Sequence, residues 1–346
     1  MKIDLAVIGQ GAVSPAGIGV DALLHREPVP ASVAALGRPD QPWPVLRVDL
    51  NDPAFARRQR EPRLRRASSI TFFLIEAAEQ ALAGTSPADR AQTGLIVAFS
   101  AGCVTYSRRF FEGLATQGTA SPALFPETVF NSPVSHVASV LGLNGAAYAI
   151  VGDETAWVAA LRTAAIWLQS ERVRQVLVLG AEEFDPIVLD AYRSARWLRR
   201  QSSAHGFLAS EGAAGILVRR SGSEDAPGIA TARDGSIYRT KKEVSAAAEY
   251  LLSGSALALP CYRSAQHNWS ASLERKATEK RTIVSMEDQP YLGEAFTASA
   301  AWHTLRALAV LTPRLPRLLL PVWGLNHQFG LLELETRPKV PSTRAR

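Results

Sequence analysis

The sequence predicts an α/β protein made of two β-α-rich halves. Three observations predict it. Short apolar runs of strand length alternate with longer segments whose apolar residues recur at helical spacing. The rhythm stops at the polar stretch Ser221–Gly228 and then restarts. One segment, Thr155–Ser170, is apolar on nearly every side, with Trp157, Val158, Leu161, Ile166 and Trp167 among its alanines, and so belongs inside. Repeated β-α alternation implies layered sheets covered by helices.

Each element has a local reason. Leu5–Ile8 is a short apolar strand closed by glycines, whereas residues 25–62 are rich in proline and arginine without a sustained period and read as a surface excursion. Ser68–Leu82 is a helix, with Ile70, Phe73, Leu74, Ala77, Ala78 and Ala81 on one face and Gly84 ending it. Gly94–Ser100 reads as a strand, Val104–Leu114 and Pro133–Leu141 as helices, and Ala146–Val151 as the strand before the buried helix. Gln175–Leu179 and Gly212–Val218 are further strands. After the break, strands are expected at Gly228–Tyr238, Ala256–Cys261, Thr282–Ser285, Leu318–Val322 and Phe329–Glu333. Helices are expected at Glu243–Leu252, Ser270–Lys280 and Ala295–Leu311. Two similar halves suggest an internal duplication, although no residue-level identity links them.

The chain has 346 residues, 47% of them hydrophobic and 20% charged, which is ample material for a core. Its formal charge of +6 suits an acidic partner, or simply a solvated basic surface. Cys103 and Cys261 are the only cysteines, too few for a disulfide framework or a zinc pattern. The opening Met1-Lys2-Ile3-Asp4 leads into a strand-like run rather than a charged region with a long apolar one. No signal peptide or membrane helix is expected, and the expected compartment is the cytoplasm.

Gly9-Gln10-Gly11-Ala12-Val13-Ser14 follows a strand and imitates a dinucleotide fingerprint. Serine stands at the third glycine, Pro15 and Gly17 interrupt the required helix, and no acidic residue closes a second strand. No phosphate-loop lysine and no Gly-x-Ser-x-Gly elbow occurs.

Four landmarks carry a resemblance. Ala6 through Gly19 reads like VxGxGxxSPxGxG. Ser121 to Pro126, with Asn131-Ser132-Pro133, is similar to a segment that precedes a nucleophile. Gly180-Ala181-Glu182-Glu183 is similar to a GAEE strand end, and Gly206–Gly215 to GFxxxEGAGxxV. Together, in this order, they resemble the β-ketoacyl synthases over residues 1–220, and weakly beyond. The resemblance implies a thiolase-like fold, two fused βαβαβαββ halves in a layered αβαβα arrangement. It divides the chain into an N-terminal half at 1–222, a shortened C-terminal half at 226–336 and a loose tail at 337–346. It also implies a dimer joined across the strand Ala146–Val151, Claisen condensation of acyl thioesters on an acyl carrier protein, and a Cys-His-His site. No cofactor or metal is expected.

The condensing residues are not where the resemblance wants them. A thiolate should open the buried helix, where the dipole and free N–H groups favour an anion. Matching Ala159-Ala160-Leu161 to the family puts Glu154 at that place. A carboxylate is comfortable there but is a weak nucleophile. Helix capping by Asp153 and Glu154 is an equal reading. Glu294, after Gly293, replaces the second histidine, and Cys261 is the best match for the first. Two carboxylates facing one small cavity raise one pKa, which would leave a neutral Glu294 as a donor. The closing glycine loop is degraded to Trp323-Gly324-Leu325-Asn326-His327-Gln328, which makes His327 a candidate. His136, His267 and His303 read as core or surface histidines, and Cys103 as a structural thiol.

Arg57, Arg58, Arg60, Arg63, Arg65 and Arg66 crowd one segment, and Arg193, Arg196, Arg199 and Arg200 form a second group. They read as a docking face for an acidic carrier protein, with Arg63, Arg65, Arg66, Arg199 and Arg200 as contacts, or as a solvated surface. Nucleic-acid binding is not expected, since no aromatic platform accompanies them. The resemblance then favours a non-condensing, chain-length-factor-like partner of an active β-ketoacyl synthase. Two alternatives stand beside it: a malonyl-carrier-protein decarboxylase or other acyl-carrier-acting enzyme using Glu154, and a non-enzymatic acyl-binding homodimer.

Overall fold

The computed structural model describes residues 2–24, 29–36, 38–199, 206–222, 226–253, 255, 258–263, 268–284 and 292–336. Arg200, His267 and the expected tail at 337–346 lie outside the described residues.

The first half contributes strands β1 (Lys2–Ser14), β2 (Thr93–Phe99), β3 (Ala147–Val151), β4 (Gln175–Glu182) and β5 (Gly212–Arg220). The second contributes β6 (Gly228–Ile237), β7 (Cys261–Tyr262), β8 (Ile283–Val284), β9 (Arg317–Trp323) and β10 (Gln328–Glu335). The spatial order is β3-β2-β4-β5-β1 in one half and β8-β7-β9-β10-β6 in the other, the same order twice. Directions repeat as well: the three outermost strands run parallel and the next two antiparallel. The two sets join edge to edge where β1 pairs β6, at Lys2 with Thr231, Leu5 with Ile229 and Ala6 with Gly228. Hydrogen bonding is therefore continuous between halves.

Among the described residues, six of the eight longer helices divide among three layers. α1 (Ser69–Ala81), α2 (Val104–Gln117) and α3 (Asn131–Leu141) precede the buried helix α4 (Thr155–Gln169). Then come α5 (Pro186–Ser194), α6 (Lys241–Ser253), α7 (Asn268–Ala277) and α8 (Thr297–Ala309). Strand alternation shows where each lies. In β4, Val176 and Val178 turn to a core shared with α4 and α8, while Leu177, Leu179 and Ala181 join α1 and α3. In β9, Leu318 and Leu320 face that same shared core, while Leu319 and Trp323 join α6 and α7. The layers run α1/α3, first sheet, α4/α8, second sheet, α6/α7. The central helices are tied to each other by Trp157 Nε1, which donates to Thr304 Oγ1 at 2.8 Å. α4 is not apolar-buried all round, because Ile166 stays 52% exposed.

The glycines of the fingerprint-like motif now have a packing reason. A Cβ on Gly9 or Gly11 would collide with the carbonyl oxygen of Ala81 or Ala77, so α1 lies directly on β1. The segment at 25–62 is more ordered than its composition suggests. Ser32–Leu36 pairs antiparallel with Arg38–Leu46, which continues parallel to Ala209–Ser210. Pro53–Gln59 is a helix whose first turn is capped by Asp52, Oδ1 accepting from Ala54 N at 2.9 Å.

Candidate functional site

The carboxyl ends of β2 and β4 and the N-termini of α4 and α8 bring several acids together inside the protein. Asp153, Glu154, Glu182, Glu183, Glu211 and Glu294 are all buried. Carboxylates in such a place need donors or protons. The structure supplies both.

Asp153, not Glu154, caps α4. Its Oδ1 accepts from Thr155 N at 3.0 Å and from Thr155 Oγ1 at 2.6 Å. Its Oδ2 reaches Asn326 N at 3.1 Å. Glu154 stands at the N-cap position without capping its own helix. Its Oε2 accepts from Leu325 N at 3.0 Å, and its own N–H also points to the carboxylate. Burial first, then the charges of Glu294 and Asp153, push the Glu154 carboxyl well above the usual range, against the pull of those two N–H groups.

Glu294 is held on both sides. Its N–H donates to Leu208 O at 2.8 Å and its carbonyl accepts from Ser210 N at 3.0 Å. Its Oε1 accepts from Phe296 N at 2.7 Å. Phe296 has φ 44° and ψ −106°, a region that costs a non-glycine residue about 1–3 kcal/mol, and Glu294 stabilises that turn into α8.

Glu182 and Glu183, visible in the sequence only as a landmark, are structural hubs of this region. Glu182 accepts from Ser100 N and, at 3.1 Å, from Ala101 N; burial pushes its carboxyl up to about 8. Glu183 accepts from Ile70 N at 3.3 Å and Thr105 N at 3.0 Å, so one side chain serves the N-termini of α1 and α2; burial pushes it to about 7. Tyr192 feels burial first, then Glu182, Glu154 and Glu294, all of which raise its hydroxyl well above the ordinary value.

Two cavities lie in this region, one lined by Glu294 and the other by Leu325. The inner one is lined by Glu182, Glu183, Tyr192, Ser210, Glu294 and Phe296, and no cysteine or histidine lines it among the described residues. It has about 20 Å³ of room, enough for a water and far too little for an acyl chain. The outer one, about 310 Å³, is walled by Trp197, Tyr238, Val244, Leu325 and His327, with Arg239 among its lining residues. His327 stacks on Tyr238 with ring centroids 5.4 Å apart, and its Nδ1 lies 3.1 Å from Tyr238 O.

The structure thus gathers Glu154 and Glu294 at one place and sets His327 on the outer cavity. Cys261 is placed differently from the expectation that it stands with the two acids. Its side chain sits in the outer-layer core with Leu273 and Leu319, and its neighbours in charge are Arg281, Glu274 and Arg263. Burial pushes that thiol up to about 11. Cys103 is buried at the start of α2, and burial raises its thiol too. Neither is poised as a thiolate. His136 is engaged with Glu127 at 3.0 Å, and His303 is buried on α8. Arg57, Arg60, Arg63, Arg65, Arg66 and Arg199 are exposed, whereas Arg58 turns inward to Glu61 and Glu79.

The family model described as "Beta-ketoacyl synthase, N-terminal domain" matches residues 40–223, more than half of the chain. The chain belongs to the β-ketoacyl synthase family. Among solved structures it is similar to the ishigamide ketosynthase/chain length factor, with TM-score 0.79 and 19% identity over 96% of this chain and 99% of that one. It is also similar to a ketosynthase in complex with its chain length factor from Xenorhabdus doucetiae, with TM-score 0.77 and 13% identity over 96% and 98%. A third is the acyl-carrier protein of a type II polyketide synthase in complex with its ketosynthase, bound to the hexaketide, with TM-score 0.77 and 14% identity over 97% and 100%. At these identities the likeness shows the shared thiolase-like fold. No curated protein matches the sequence. Among the described residues, no helix is long and apolar enough to cross a membrane.

Proposed function

We propose that this chain is a non-condensing member of its family, a chain-length-factor-like partner of an active β-ketoacyl synthase in fatty-acid or polyketide-type biosynthesis. One observation carries the reading: where condensation needs a thiolate, Glu154 is buried and its carboxylate is already engaged by the N–H of Leu325. Condensation needs a covalent acyl-enzyme, and no thiol lines the cavity beside Glu294 among the described residues. The fold does not depend on those lost residues, so a folded chain lacking them suits a role at an interface. β3 ends its sheet and carries Tyr148 at 57% and Val151 at 51% exposure, a surface suited to pairing with a ketosynthase. The exposed arginines Arg63, Arg65, Arg66 and Arg199 suit an acidic acyl carrier protein.

The decarboxylase reading is weaker. N–H groups that polarise a thioester carbonyl act by pointing at its oxygen, and here the N–H groups of Glu154 and Leu325 are taken by Glu154 itself. The test is to incubate the purified chain with acyl and malonyl carrier proteins and to co-purify it with candidate ketosynthases. No adduct by mass spectrometry and a stable heterodimer are expected. A covalent acyl adduct, or a β-ketoacyl product made without a partner, overturns the proposal. Self-association alone points to the acyl-binding homodimer.

A further inference from the structure

We propose that Glu154 and Asp153 form a latch that shuts the turn at 324–327 as a partition between the two cavities, so that Glu154 is a positioning residue. The turn is gripped at two successive amides: Leu325 N by Glu154 Oε2 at 3.0 Å and Asn326 N by Asp153 Oδ2 at 3.1 Å. Gly324 rests against the Asp153 carboxylate so closely that a Cβ there would collide with it. The turn also closes on itself, His327 N donating to Gly324 O at 3.1 Å and Gly324 N to Gln328 O at 2.9 Å. Its geometry needs His327 in the left-handed region, at φ 63°.

The gripped residue forms the partition. Leu325 is 5% exposed and lines the outer cavity. It belongs to the same apolar cluster as Phe296, and Phe296 lines the inner cavity. A ligand lying against Tyr238 and His327 therefore meets Leu325 before it meets either acid. The two grips come from consecutive residues at the rigid start of a buried helix, so the turn cannot swing without breaking both. Glu154 in this arrangement holds the backbone of the turn through Leu325 N. The inference goes beyond the partner role and does not depend on it.

Hydrogen exchange on the full-length protein reads the latch directly, because the two amides concerned are those of Leu325 and Asn326. In Glu154→Ala the Leu325 amide is expected to exchange at least tenfold faster, while Asn326, still held by Asp153, and the amides of β4 stay close to wild type. Glu154→Gln retains an acceptor oxygen and is expected to keep the Leu325 amide close to wild type. The double variant Asp153→Ala with Glu154→Ala releases both grips and is expected to bind an apolar dye such as anilinonaphthalene sulfonate more strongly, since the two cavities then communicate. Unchanged exchange at Leu325 in Glu154→Ala, or equal acceleration in Ala and Gln, overturns the proposal. A general acceleration that includes β4 also counts against it, since Glu154 would then support the fold at large.

Discussion

Raising the pH from about 5.5 to about 7.5 is expected to weaken the fold, because Glu182 and Glu183, with Glu154 acting in the same direction, hold their protons longer in the folded chain. The unfolded chain gives up a glutamate proton near about 4.3. The folded chain keeps the Glu182 proton until about 8 and the Glu183 proton until about 7. Between those values the folded state holds more protons than the unfolded one, so stability falls as the pH rises and levels off above about 8. Stability is fullest below the ordinary carboxylate value as far as these groups are concerned. Each contributes up to about 1.4 kcal/mol per pH unit inside its window, and the two together lose roughly 4 kcal/mol over the interval. That is a large share of the 5–15 kcal/mol typical of a folded protein. Urea unfolding at three pH values across the interval measures it, and the midpoint is expected to drop at each step. Glu182→Gln removes one of these titrating groups and is expected to flatten the profile by roughly 2–3 kcal/mol. A midpoint that holds or rises between pH about 5.5 and about 7.5, or a Gln profile parallel to wild type, would refute the reasoning.

Two further outcomes are expected. Gly11→Ala drives a methyl group into the Ala77 carbonyl, so α1 must lift from β1; the cost is at least about 1–3 kcal/mol, read as a lower urea midpoint. Reversing Arg63, Arg65 and Arg66 to glutamate touches only exposed positions, so the melting temperature should hold while binding to an acyl carrier protein falls by tenfold or more and loses its salt dependence.

Long periodic segments were legible in the sequence. α1, α4 and α8 follow from apolar spacing, and the acids at the start of α4 from the landmark order. Among the helices that the spacing did not show, Pro53–Gln59 and Pro186–Ser194 share one reason. Asp52-Pro53 and Asp185-Pro186 each place a capping carboxylate before a proline suited to the first helical turn, yet the prolines read as breakers. Asp185 Oδ1 in fact accepts from Ile187 N at 2.9 Å. Cys261 was matched to the first histidine by its place after a strand, and β7, only Cys261–Tyr262, is too short for a period to show which way each side chain faces. In a strand, a slip of one residue exchanges faces: Tyr262 looks to the central core and Cys261 away from it. The outer cavity had no local signature, since Trp197, Tyr238 and Leu325 come from three distant segments.

The shared middle layer has a consequence for how the chain folds. α4 belongs to the first half and α8 to the second, yet each completes its apolar surface only against the other and against both sheets. Trp157 has its hydrogen-bond partner in the opposite half, and Trp302 donates to Val13 O and Ala213 O, again across the divide. The repeat visible in the strand order is therefore a repeat of pattern and not of autonomy. A chain severed near residue 223 would leave each fragment with a wet apolar face where its neighbour had been. Synthesis of the second half must precede consolidation of the first, and the polypeptide gains its native state as one cooperative unit.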